Sequence, residues 1–172
     1  KKIFTLLSLD GSLIKFEFIK EEKLNNFGID NLVVLYSPSS KIDLKPLAKI
    51  ASGGEKSRIL LAIKSVFAKK NNLPTIIFDE IDSGTSGEIA ESIGFLMKEM
   101  TKKIQIISIT HLAQVASKGD FHFKVIKTNN NGNSSTNIIK LLKRDRILEI
   151  ASMISGKKIT NSALNQAEEL LK

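Results

Sequence analysis

The sequence contains no cysteine, which removes disulfide frameworks and thiolate metal sites from consideration. Histidine occurs only twice, too few ligands for a zinc site of the usual tetrahedral kind. Long apolar runs are also missing: uncharged apolar stretches such as residues 59–63 and 104–109 are far short of the roughly 20 residues that cross a bilayer. No membrane span is expected. A secretory leader is not expected either, because Asp10 interrupts the apolar run 3–9 and no small-residue cleavage site follows. A cytoplasmic protein is the default expectation, and disorder is excluded as the main state, because 172 residues of which 42% are apolar can fill one core. The balance of 26 basic against 18 acidic residues, a net +8, suits a phosphate-backbone partner. It is equally compatible with a solvated lysine surface, since the only arginines are Arg58, Arg144 and Arg146.

Two β-prone runs, 3–9 and 12–19, flank Asp10-Gly11, a turn-forming dipeptide, and predict an opening hairpin. A polar stretch, 21–30, leads to a further strand at 32–36 and a loop carrying Pro38 and Pro46. From Gly53 to Lys70 the apolar residues Ile59, Leu60, Ile63, Val66 and Phe67 recur at helical spacing. Then comes an alternation: strand 75–78, helix 86–101, strand 104–109 and a short helix 111–117, an order that implies a parallel α/β sheet. Strands 121–126 and 136–142 flank a Gly/Asn/Ser loop at 129–135, as in an antiparallel pair. Helices at 144–154 and 161–171 close the chain.

Three constellations carry chemistry. Ser52-Gly53-Gly54-Glu55 sits where a loop becomes a helix, so unpaired amides and the positive helix end can face an anion such as phosphate. The same spacing is a capping box, with the serine capping the amide three residues on and the glutamate reaching back. Asp79-Glu80 ends an apolar strand, where an open parallel sheet binds its ligands. The first acid can hold Mg²⁺ and the second orient or deprotonate water; the alternative is pairing with surface lysines. Asp82 reads either as a third acid or as a turn residue. His111 ends the next strand and can hydrogen-bond a terminal phosphate or act as a cap; His122 reads as structural. A complete phosphate loop is missing, because neither Gly54-Glu55-Lys56-Ser57 nor Gly156-Lys157 has the required glycine spacing.

Taken in order, Ser-Gly-Gly-Glu at a helix start, an apolar strand ending Asp-Glu and another ending Thr-His, the chain resembles the C-terminal half of an ABC-type ATPase head. In detail it resembles the SMC class of coiled-coil ATPases. Gly84-Thr85-Ser86, where chromosome-condensing relatives carry an Ala-Leu-Asp type of sequence, points to the double-strand-break repair branch and leaves the job of Asp82 open. The resemblance implies an α/β lobe over 1–172, with opening strands and loop at 1–43 and the motif region at 44–172. It implies that Ser52, Gly53, Gly54 and Glu55 form the signature loop facing the γ-phosphate of ATP on a second head. Asp79 would be the Mg²⁺-associated acid, Glu80 the water-activating acid and His111 the switch histidine. Expected partners are an N-terminal lobe of the same protein, a second head in a homodimer, and DNA. The phosphate loop and coiled coil would lie outside this chain, which would then be inactive alone. Two competitors remain: an ATPase lobe of another ABC family, and a non-catalytic DNA-binding or dimerisation module.

Overall fold

The computed structural model describes residues 2–26, 28–130 and 133–172. They form two compact units: the residues up to Asn71 with Ile81–Thr85, and Asn72–Glu80 with Ser86–Lys172.

In the first unit the opening hairpin is not formed. Residues 3–9 begin instead as helix α1 (Lys2–Leu6), followed by a turn in which the Leu9 amide donates to Phe4 O at 2.9 Å. Asp10-Gly11 still turns the chain, with Gly11 at φ +75°, but it joins a helix to a strand. The physical reason is burial: Leu7 and Leu9 are 0% and 4% exposed, and a run this short fits either period until its neighbours decide. The hairpin is made one element later, by β1 (Leu13–Asn25) and β2 (Gly28–Ser37), antiparallel with Leu13 opposite Ser37 and Lys20 opposite Asp30. The polar stretch 21–30 is therefore mostly strand, with a register irregularity between Lys20 and Asn25. A two-residue strand β3 (Lys45–Pro46) pairs with the other edge of β2, and α2 (Leu47–Ile50) follows.

Helix α3 (Gly53–Lys70) has the bounds the spacing predicts. Ser52 caps its start and Asn71 its end, where the side-chain amide donates to Phe67 O at 2.9 Å. Lys69 and Lys70 lie in the last turn, where cations favour the helix dipole.

The second unit carries β4 (Thr75–Asp79), α4 (Gly87–Met100) and β5 (Gln105–Ile109). β4 and β5 pair in parallel from Thr75 opposite Gln105 to Asp79 opposite Ile109, as the strand–helix–strand order requires. Helix α5 (Ala113–Ala116) packs on α4. At Gly94 a Cβ would stand 3.0 Å from Gln114 O and 3.3 Å from Val115 Cα, so glycine permits the close approach. Strands β6 (Phe123–Asn130) and β7 (Asn133–Lys140) form an antiparallel ribbon. Both extend into the expected loop, of which residues 131–132 lie outside the described residues. Helices α6 (Lys143–Ser155) and α7 (Asn161–Leu170) complete a core of Ala113, Ile150, Ala151, Ala163 and Ala167. Among the described residues no helix is long and apolar enough to cross a membrane.

Candidate functional site

Ser52, Gly53, Gly54 and Glu55 lie in the first unit. Ser52 is extended, at φ −64° and ψ 164°, and its backbone N–H and hydroxyl both donate to Glu55 Oε2, at 2.9 and 2.7 Å. The Glu55 amide returns a bond to Ser52 Oγ at 3.3 Å. The capping box expected from the spacing is thus complete. It does not exclude the phosphate-facing alternative, because the first-turn amides of Gly53 and Gly54 have no hydrogen-bond acceptor among the described residues. Ser52 and Gly53 are exposed.

The second oxygen of Glu55 is used as well. Tyr36, 1% exposed, donates its phenol to Glu55 Oε1 at 3.0 Å. The hydrogen bond from the Ser52 hydroxyl, above all, holds the Glu55 carboxyl below its ordinary value; the Ser52 amide, Tyr36 and the charge of Arg58 add to this against the effect of burial. Burial, then the Glu55 carboxylate, push the Tyr36 phenol up. At neutral pH Glu55 is therefore an ionised, acceptor-only group and Tyr36 a neutral donor. The Ser52 hydroxyl proton consequently points to Glu55.

Gly54 is pressed against the loop that follows β4. A Cβ there would lie 2.8 Å from Gly84 O, and Gly84 itself stands at φ +74°. That loop is closed by Thr85, whose N–H and hydroxyl both donate to Asp82 O, at 3.2 and 2.6 Å. Asp82 is 1% exposed, and through its carbonyl it serves as the turn residue the sequence allowed.

The acids and the histidine lie in the second unit. Phe78 is fully buried while Asp79 and Glu80, the next two residues, are exposed. Glu80 adopts φ +45°, a left-handed conformation that costs a side-chain-bearing residue roughly 1 to 2 kcal/mol. Its N–H donates to Ile109 O at 3.0 Å, so the ladder runs one residue beyond the strand and helps hold the turn. Neither acid forms an ion pair among the described residues, so the lysine-pairing alternative is not realised there. His111 follows at the end of the neighbouring strand, exposed, just before the turn in which Thr110 Oγ1 accepts from the Leu112 amide at 3.0 Å. No cluster of three or more ligating side chains occurs among the described residues. One or two carboxylates at a strand end nevertheless fit Mg²⁺, which retains water and takes much of its coordination from phosphates.

Two contributors escaped the sequence reading. Tyr36 was visible only as a strand end, 19 residues before its partner. Arg146, on α6, donates to Ser117 O at 2.7 Å and Gly119 O at 2.5 Å, tying down the exit of α5. No local signal marks either one.

The fold is that of an SMC-type ATPase head. Solved relatives include the Smc head domain with a coiled coil and joint from Pyrococcus yayanosii, with a TM-score of 0.62, 25% identity, and coverage of 99% of this chain and 28% of that one. The Smc head domain from Pyrococcus furiosus bound to the C-terminal domain of ScpA gives a TM-score of 0.61 at 28% identity, over 86% of this chain and 35% of that one. Within that class the sequence is related to the proteins named DNA repair protein RecN. It is 43% identical to the Rickettsia typhi protein over 165 residues, and 40% identical to that of Bacillus subtilis over 150. These matches cover 96% and 87% of this chain but 30% and 26% of the relatives, so the chain spans less than a third of their length. No family model matches the sequence.

Proposed function

We propose that this chain is the C-terminal lobe of a RecN-type head whose complete protein binds and hydrolyses ATP between two heads during DNA double-strand break repair and recombination. The supporting observation is the exposed Asp79-Glu80 pair, free of ion pairs among the described residues, at the end of a parallel strand.

Asp79 would hold Mg²⁺, which when bound neutralises phosphate charge. Glu80 orients a water for in-line attack on the γ-phosphate and accepts its proton, while His111 donates a hydrogen bond to a γ-phosphate oxygen. Ser52, Gly53 and Gly54 offer a hydroxyl and backbone amides to the γ-phosphate held by the partner head, and Glu55 fixes the serine. Asp79 ends the strand and Glu80 turns out of it at φ +45°, so this reading gives the metal to the first acid and the water to the second. The required phosphate loop belongs to an N-terminal lobe of the same protein. A need for such a neighbour is supported by Ile77, Ile107 and Ile109, each about half exposed on a two-stranded parallel sheet, since parallel sheets are normally covered on both faces. The isolated chain should therefore hydrolyse no ATP. DNA is the macromolecular partner, and the cytoplasm, at the nucleoid, the location.

The test is Glu80→Gln in the full-length protein. Turnover should fall at least about 100-fold, as for loss of a general base, while ATP-dependent head association persists. Unchanged turnover would remove Glu80 from the mechanism.

A further inference from the structure

We infer that Tyr36 is a positioning residue for the signature serine: a buried strut that holds Glu55 so that the Ser52 hydroxyl can leave its cap and turn to a γ-phosphate. The inference rests on the reading of Ser52 as the phosphate-facing serine.

The geometry supplies the reason. Glu55 Oε2 takes two donors, both from Ser52, and Oε1 takes the Tyr36 phenol. A hydroxyl has one proton, so while Ser52 gives it to Glu55 it has none for an incoming anion. Turning outward breaks the 2.7 Å bond and leaves the carboxylate with the Ser52 amide and Tyr36. Tyr36 is fit to keep it in place. Its backbone belongs to the middle strand of three, paired with Ile14 on one side and Lys45 on the other, and its ring is buried. Without the phenol, Ser52 would be the only hydrogen-bond donor to Glu55 among the described residues. The hydroxyl would be held harder in the cap, and a less restrained carboxylate would stand nearer the anion it repels.

The experiment uses full-length protein carrying Glu80→Gln, so that ATP-bound dimers accumulate. Tyr36→Phe, which preserves the ring, should weaken ATP-dependent head association about tenfold, in keeping with loss of a hydrogen bond to a charged group. Binding of a fluorescent ATP analogue to dilute, unassociated protein should not change, while the thermal midpoint should fall only by the few degrees that loss of one hydrogen bond costs. Ser52→Ala should weaken association as well, and adding Tyr36→Phe to it should cost nothing more, because the strut acts through the hydroxyl. Additive losses, an unchanged association for Tyr36→Phe, or a parallel fall in thermal midpoint and nucleotide binding would each overturn the inference. If Ser52→Ala itself leaves association intact, the phosphate-facing reading of the serine fails, and the inference with it. A loss with Ser52→Ala but none with Tyr36→Phe defeats the inference alone.

Discussion

At the scale of single residues, two positions depend on what a side chain would meet or lose. Gly54 has no room for a methyl group: the obstacle, Gly84 O at 2.8 Å, is backbone and cannot swing aside. Gly54→Ala should therefore destabilise the first unit by about 1 to 3 kcal/mol, the usual cost of overpacking, as read by denaturant unfolding. Gly53→Ala meets nothing within 4 Å and should cost clearly less. His122 is the second position. Its Nδ1 is buried with no hydrogen-bond partner among the described residues, and burial, then the charge of Arg146, hold its pKa below 6.5, with Lys124 adding to this and Glu149 opposing it. The unfolded chain therefore takes up the proton first as the pH falls. Stability that is full above about pH 6.5 should be lost as the pH drops through the lower folded value. Following the unfolding midpoint from pH 7.5 to 5 checks this, and His122→Leu should flatten that part of the profile.

At the scale of elements, α5 is a single short helix just after His111, and its neighbours hold it. Gly94 lets it lie close on α4, and Arg146 reaches from α6 to the carbonyls of Ser117 and Gly119. Arg146→Met keeps most of the stem but removes the donors. It should cost about 1 to 2 kcal/mol and speed hydrogen exchange at the Ala116 and Ser117 amides, with little change in α7. Elements also differed in how far their sequence announced them. Helix α3 was legible to the residue because its cap, its apolar repeat and its lysine-rich end agree. Helix α1 was not: a short apolar run has no period long enough to separate helix from strand. The polar half of β1 was missed for a different reason. It continues a ladder that pairs with β2 up to Lys20 and again at Asn25, opposite Gly28, and backbone pairing of this kind needs no apolar alternation.

At the scale of the whole molecule, much apolar surface lies uncovered: Ile77, Ile107 and Ile109 on the parallel pair, and Phe123, Val125 and Ile138 along the β6–β7 ribbon, where Val125 faces Ile138. Patches of this kind mark interaction surfaces. The isolated chain should bind a hydrophobic fluorescent dye, and addition of the N-terminal lobe should suppress that signal and restore ATP turnover. Dye binding that persists in a stable two-lobe complex would show that the faces serve something else.

The sequence by itself determined the motifs, their order and the helix and strand that carry each, because caps, periodicity and strand-end acids are local properties. It also determined that Ser52 and Glu55 would meet, since three residues is one helical turn. Tertiary structure alone decided that Tyr36 completes Glu55, that Gly84 closes on Gly54 and that Arg146 anchors α5. Those contacts join residues 19 to 30 positions apart, and no local energy distinguishes such a pairing until the surrounding elements have packed.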